Sequence, residues 1–514
     1  MSKVVLCNFL CFSLVNSANI LGYFPTCSIS HQVIFQPIWK ELSLRGHKMT
    51  VITPNPLNDP SLTNLTEIDI SYMYGEMSVM INKILALGEM NIYSRLINQF
   101  EILRTLEDDT ISSKGIQELL KDDNQQFDLV MVEWFHSIGL GFGYKYNAPV
   151  IGVSSFFGIP NIHEVMGNPR HPAFMPDIFL GFGERMSFLE RIQNTAFNVW
   201  YRYFHHWVNV PEWDKIARKH FGNDIPYIGD LEKNISLVII NSNPVLDYVK
   251  PSVPGVIEIN QMHIKPKKSL PKDLKDYLDK SKNGVIYFSL GTNVLSSKTD
   301  PEFLNAIKEA ISELPYNFMW KWETDDLPNK PKNVLIRKWF PQQDLLDHPN
   351  IKAFVTQGGL QSMEEAITNA VPMVVIPYFG DQPYNAKRMV HMEIAKELNY
   401  KTLTKEDFKQ AVTEVIENDK YKRNVVKYSK LLVDQPMTGL EKAVWWTEFT
   451  LRHKGDFNLR GYGADVPYYQ YFLLDIIALA LIIVLVTILS MKRLVKVIMR
   501  ILNIRKSSKK LKYN

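Results

Sequence analysis

The chain has 514 residues, 46% hydrophobic and 22% charged. That length exceeds one core and points to two or three domains of ~100–200 residues, and the composition excludes disorder over most of the chain. The net charge of +4 is misleading: Lys492 to Asn514 hold nine Lys/Arg and no acid, so the body is mildly acidic, which speaks against nucleic-acid binding.

Residues 1–17 run from Lys3 through the apolar stretch Val4–Val15 to small Ser17 and Ala18. This is the charged, apolar, small-residue order of a secretory signal peptide. Cleavage would remove Cys7 and Cys11, leaving Cys27 and no internal disulfide. Ile20–Phe24 reads as a strand, Val33–Leu44 as a helix stopped by Gly46, and Met49–Thr53 as the next strand. A helical pattern runs from about Met77 to Leu106, followed by strands Phe127–Val132 and Val150–Val153. Such alternation predicts a parallel sheet covered by helices. Met186–Phe221 carries Trp200, Tyr201, Tyr203, Phe204, Trp207 and Trp213. A buried helix is the plainer reading, and a membrane-facing or acceptor-lining helix the sharper one.

A first domain thus covers 18–264, and the Lys/Pro-rich residues 265–282 read as a linker. A second α/β domain, 283–455, contains strands Val285–Leu290, Asn317–Lys321, Val334–Arg337, Ile351–Thr356 and Val371–Ile376, with helices Pro301–Leu314 and Leu360–Asn369. Two doubly wound domains facing each other place a cleft between the carboxyl ends of their sheets. After a juxtamembrane segment, 456–470, residues 471–491 form a transmembrane candidate. From Phe472 to Met491 the only charge is Asp475, and twenty residues at ~1.5 Å each match a ~30 Å hydrocarbon core. Tyr468, Tyr469 and Tyr471 precede the run, and Lys492, Arg493 and Lys496 follow it, which orients a luminal body and a cytosolic tail, 492–514. Lys510 and Lys512 look like a dilysine retrieval signal for the endoplasmic reticulum, and sequons at Asn64 and Asn234 fall on the luminal side. The expected location is the endoplasmic reticulum membrane, single-pass.

The densest chemistry lies between Trp339 and Asn385. A strand runs into Gly358-Gly359 and then a helix, so backbone N–H groups and the helix N-terminus form a seat for a diphosphate. An indole at Trp339 could stack on a base, Glu365 could accept from ribose hydroxyls, and Asp381-Gln382 could hold a sugar. Each residue also has a plain structural reading: Trp339 as core, Glu365 as a solvated face, the glycines as a turn. His31 falls just after the first strand, where site residues collect, and an imidazole titrating near 6.5 suits removal of a hydroxyl proton. A helix cap is its structural alternative. Gly139-Leu140-Gly141-Phe142-Gly143 lacks the spacing of a dinucleotide fingerprint, and His163-Glu164 has no second histidine for zinc. No Asp-x-Asp occurs, so no metal clamp and no cofactor are expected, and the diphosphate is left to helix terminus and side chains.

Together these motifs resemble the UDP-glycosyltransferase family. The run Trp339-Phe340-Pro341-Gln342-Gln343-Asp344-Leu345-Leu346-Asp347-His348-Pro349 looks like the opening of its signature, and Gly358-Gly359, Glu365-Ala366-Ile367, Val371-Pro372-Met373 and Asp381-Gln382-Pro383 with Asn385 continue it. Phe288-Ser289-Leu290-Gly291-Thr292 is similar to the family's first donor loop, and Ala443–Gly455 to the segment before its anchor. Phe24–Thr66 looks most like insect members. The resemblance implies two facing Rossmann-like domains (GT-B type) plus one C-terminal transmembrane helix. It implies an inverting transfer of a hexose, glucose by the insect likeness, from a UDP-sugar to a small lipophilic acceptor such as a phenol, terpenoid or steroid. By resemblance Trp339 and Gln342 hold uracil and Glu365 the ribose. Thr292, Gly359 and Gln361 sit at the diphosphate and Asp381 and Gln382 at the sugar, with Ser289, Gly291, Gln357 and Gly358 also in the donor site. Two departures stand out: Gln357 replaces a common histidine, and Gln361 a common asparagine, so neither can be cationic. The resemblance makes His31 the base and places its anion at Glu133, where relatives have Asp. Asp128, at the strand's beginning, is set aside. A non-catalytic lipophile-binding protein of the same fold is the alternative, and self-association is left open.

Overall fold

The computed structural model describes residues 17–86 and 90–510, so the residues read as a signal peptide before Ser17, and Lys512, lie outside the described residues. Seven parallel strands form the first sheet: β1 (Asn19–Tyr23), β2 (Lys48–Thr53), β3 (Leu65–Asp69), β4 (Leu129–Glu133), β5 (Val150–Ser154), β6 (Leu237–Asn241) and β7 (Val256–Ile259). Their order is β3-β2-β1-β4-β5-β6-β7. The second sheet holds β8 (Val285–Ser289), β9 (Asn317–Lys321), β10 (Val334–Arg337), β11 (Ile351–Thr356), β12 (Met373–Val375) and β13 (Ala395–Glu397), in the order β10-β9-β8-β11-β12-β13. Every residue of β4, β6 and β8 is buried, as strands covered on both faces require, which is why they read as unbroken apolar runs. In each sheet the chain reverses its direction of travel beside its first strand, between β1 and β4 and between β8 and β11. Those switch points are where doubly wound sheets leave a crevice.

Helix α1 (Ile29–Leu44) buries Ile34, Phe35, Ile38, Trp39 and Leu42 against the first sheet and stops before Gly46, whose φ of 96° suits glycine. The single helical run expected over 77–106 is two helices, Met73–Ala86 and α2 (Ile92–Ile111), the second started by the Asn91 side chain accepting the Ser94 N–H at 2.9 Å. The aromatic-rich segment is α3 (Phe188–Phe204), opened by a Ser187/Glu190 capping box, then a π-helical turn and α4 (Val210–Phe221). It is only half buried. Asn194, Phe197, Tyr201 and Phe204 enter the core, whereas Phe188, Leu189, Ile192, Val199, Tyr203 and Trp207 are exposed.

The stretch 265–282, read as a linker, folds in its second half into helix Lys272–Lys280, whose Leu274 and Leu278 join the second core. Helices α5 (Leu360–Thr368) and α6 (Gln382–His391) follow β11 and β12. Helix α7 (Gly439–Arg452), expected in the second domain, instead returns to the first. Its Ala443 and Val444 join the core beneath α1, Lys442 donates to the Glu258 carbonyl at 2.8 Å, and Glu448 pairs with Arg45 at 3.3 Å. The body through Arg460 is one compact unit. The remainder carries helix Leu474–Lys510, apolar over Leu474–Leu502 with a mean hydropathy of 2.8, long and apolar enough to cross a membrane.

Candidate active site

His31 occupies the first turn of α1, at the carboxyl end of β1, and Glu133 is the last residue of β4 beside it. The helix-cap reading of His31 fails because its side chain turns to Glu133: Nδ1 stands 2.7 Å from Glu133 Oε1. An ionised carboxylate can only accept, so Nδ1 carries the hydrogen and Nε2 is the nitrogen left to take a proton. Glu133 is buried, and its second oxygen accepts the Thr26 N–H at 3.2 Å. Burial would raise its carboxyl, but the hydrogen bond and charge of His31 outweigh this and hold it below the usual range. Buried Gln32 pins the loop after β1, donating to the carbonyls of Phe24 and Thr26 at 3.0 and 2.9 Å. Asp128 is exposed at the far end of β4 and accepts the Asn19 N–H at 2.8 Å.

Behind Glu133 lies a second acid–imidazole pair that the motif reading missed. Buried His136 places Nδ1 3.0 Å from Glu107 Oε1 and Nε2 2.8 Å from the Thr26 hydroxyl. Trp213 donates from its indole to the other Glu107 oxygen. A signal existed: Glu107 interrupts the apolar stripe Leu96–Phe100–Leu103–Leu106–Ile111 of α2, where a lone acid needs a partner.

On the opposing sheet, β8 ends in a turn where Ser289 Oγ accepts the Gly291 N–H at 3.3 Å and half-buried Thr292 follows. Gly291 has φ 78°, and a Cβ there would lie 2.4 Å from Gln357 Nε2. Gln357, between β11 and the glycine pair, therefore points its amide at that loop, and its buried Oε1 has no hydrogen-bond partner. Gly358 has φ 88°, and Gly359 caps α5. Trp339 is 60% exposed, which removes the core reading, and borders an open depression of about 400 Å³ with Ile336, Lys338 and Asp325. Glu365 is buried rather than solvated. Gln342 and Gln343 donate to its two oxygens at 2.6 and 3.0 Å, and burial pushes its carboxyl up against those bonds.

Gln361, expected beside the diphosphate, instead reaches the first domain and donates to the Ser155 carbonyl at 2.9 Å. Tyr384 of α6 donates to buried Asp247 at 2.6 Å, so α5 and α6 are both tied to the first domain. Asp381 accepts from Asn385 at 2.7 Å; burial pushes its carboxyl up, and the hydrogen bond and nearby His31 act against that. The cleft thus brings the imidazole of one sheet near the carboxylate of the other. Gln382 is buried and accepts the N–H groups of Tyr378 and Phe379 at 2.9 and 3.2 Å, which fixes the loop after β12.

Comparison with known proteins agrees with this arrangement. The model of the family "UDP-glucoronosyl and UDP-glucosyl transferase" matches residues 23–509. UDP-glucosyltransferase 2 of Dactylopius coccus is 36% identical, over 91% of this chain and 90% of its own. UDP-glucuronosyltransferase 2B17 of Rattus norvegicus is 32% identical, over 92% and 91%. Among solved structures, UDP-glucose: anthocyanidin 3-O-glucosyltransferase in complex with UDP superposes with a TM-score of 0.55 at 17% identity, covering 84% of this chain and 98% of that one, which supports the two-domain GT-B fold. With two facing parallel sheets and a family match along nearly its whole length, the chain belongs to the UDP-glucuronosyl and UDP-glucosyl transferase family and is a UDP-glycosyltransferase.

Proposed function

We propose that the enzyme transfers a hexose, glucose foremost, from a UDP-sugar to a hydroxyl of a small lipophilic acceptor, with inversion. The observation that carries this is the 2.7 Å pairing of partly exposed His31 with buried Glu133 at the switch point of the first sheet. His31 Nε2 takes the acceptor's proton as its oxygen attacks the anomeric carbon from the face opposite UDP. The bond from that carbon to the diphosphate oxygen breaks, and UDP leaves with the electron pair. Glu133 stabilises the imidazolium that forms. Ser289, Gly291, Thr292, Gln357 and the N–H groups at Gly358 and Gly359 surround the leaving diphosphate, without a metal ion. Asp381 and Gln382 meet the sugar, Trp339 and Gln342 the base, and Glu365 the ribose. Glucose is favoured because the Dactylopius relative at 36% identity is named a glucosyltransferase. Glutamine amides donate hydrogen bonds to phosphate but cannot pair with it as a cation.

The same reading places the enzyme in the endoplasmic reticulum membrane as a single-pass, type I protein, acting in conjugation or detoxification of lipophiles. The apolar helix Leu474–Leu502 and exposed sequon residues Asn64 and Asn234 support it. The test is His31→Ala in microsomes with UDP-glucose and a panel of phenols and terpenoids. UDP release should fall ~10²–10⁴-fold while UDP affinity is unchanged. Retention of a tenth of wild-type kcat would overturn the base, and no UDP release from the wild-type enzyme with any acceptor would favour a lipophile-binding protein.

A further inference from the structure

The geometry points to His136 as a positioning residue of the transfer: a buried imidazolium, shared between Glu107 and Glu133, that keeps His31 available as a proton acceptor. This rests on His31 being the base. Two carboxylates, Glu107 and Glu133, lie buried within one side-chain cluster on the closed side of the dyad. With both ionised and nothing to offset them, they would stabilise the protonated form of His31 and leave the base occupied near neutral pH. His136 sits between them, 3.0 Å from Glu107 and 3.9 Å from Glu133 Oε2.

Thr26 ties the two halves together, its N–H donating to Glu133 and its hydroxyl meeting His136 Nε2. Helix Met73–Ala86 brings apolar Met73 and Met77 to the pocket beside His136, and the charged and titratable groups come from its other neighbours. Glu107 faces it from α2, with Arg104 further back on that helix, Tyr23 from β1, Cys27 from the loop after β1, and Glu133 from β4. His31 lies beyond Glu133, and Asp381 across the cleft. Tyr23 and Cys27 are both pushed up by burial and stay neutral, so the one positive charge that can sit between the carboxylates is on His136. Burial alone would lower His136, but Glu107 and Glu133 outweigh it and hold it above its ordinary value, while burial pushes the Glu107 carboxyl up against its contacts with His136 and Trp213.

The experiment is the pH profile of kcat/KM for the full chain in microsomes, read on its acid limb. His136→Gln removes the cation, so the limb should move up by about one pH unit. Glu107→Gln takes away the partner that chiefly holds the buried imidazole charged, so the limb should again move up, by less than in His136→Gln because a carboxylate is lost with the cation. His136→Lys keeps the charge and should return the limb to its wild-type position. Thermal melting, together with UDP affinity, reports that each variant is folded. If the His136 variants do not fold, Glu107→Gln decides alone: an upward limb supports the inference, an unmoved or downward one overturns it. A limb unmoved or moved down in His136→Gln also overturns it. Activity in His31→Ala would sink the base reading instead, so the two failures are distinguishable.

Discussion

The two walls of the cleft are built on different terms. On the first sheet, the dyad and the groups behind it satisfy one another: His31, Glu133, Thr26, His136, Glu107 and Trp213 form one chain of contacts, nearly all buried. On the second, the groups proposed to meet the donor are paired with other protein groups or left open. Glu365 spends both oxygens on Gln342 and Gln343, Gln361 is turned to Ser155, Gln357 keeps a buried oxygen unpaired, and Trp339 lies open. On the proposed assignment of the site, the proton-transfer side is pre-organised by protein contacts, whereas the donor side exchanges side-chain hydrogen bonds for those of a nucleotide sugar. Preorganised charge is what lowers a barrier, and exchangeable contacts are what set affinity.

That contrast is broken most readily at Glu133. Glu133→Gln keeps the shape but removes the anion, so kcat should fall on the order of 10²-fold or more with donor KM within about two-fold of wild type. A change in KM at full kcat would mean that the dyad binds and does not activate. Trp339→Ala probes the other wall. Because the indole is exposed, Tm should not change, while UDP affinity should weaken about 5- to 150-fold, the worth of one base stack at ~1–3 kcal/mol. Equal affinity in a titration of the two proteins would remove Trp339 from the donor site.

A smaller effect shows in how the first wall responds to pH. His136 is held above its ordinary value of 6.5, so the stability it contributes is present below 6.5 and lost as pH rises through its folded value. Glu133 is held below 4.5, so its contribution is present above 4.5 and lost as pH falls through its folded value. Wild-type Tm should therefore drop from neutral to alkaline pH more steeply than that of His136→Gln, by a few degrees. Parallel curves from calorimetry would show that His136 carries no charge in the fold. The smallest expected effect is at Gln357. Gln357→His should tighten UDP binding a few-fold near pH 6, about 1 kcal/mol, and lose the gain by pH 8 as the imidazole deprotonates. Identical pH dependences would place Gln357 away from the diphosphate.

The strand, glycine pair and helix from Ile351 to Thr368 were legible as fold because they are consecutive in sequence and carry Gln357 to Glu365 in one run. His31 was legible as a histidine just after the first strand, whereas Glu133 came from the family resemblance, and the structure brings the two within 2.7 Å. Glu107 and His136 were not named, because they meet only when α2 folds across the end of β4, a pairing over 29 residues that no local pattern encodes. The half-buried α3 was misjudged for a related reason: aromatic content reports on size and polarity, not on which side of a helix the core will lie. Helix α7 was assigned to the wrong neighbour, since its apolar spacing fits either sheet.

That last helix has a consequence for how the protein is made. The first sheet is complete in sequence by residue 264, yet the apolar face beneath α1 stays uncovered until Ala443 and Val444 arrive. At ~5–20 residues per second, the ribosome needs roughly ten to thirty-five seconds to deliver them. Through that interval the amino-terminal half is a folded sheet with an open flank, a natural client for a holding chaperone. The same geometry makes any polypeptide that stops between the two domains a poor substitute for half of the enzyme. Nascent chains arrested before and after α7 should differ in protease resistance at Trp39, close to the amino terminus.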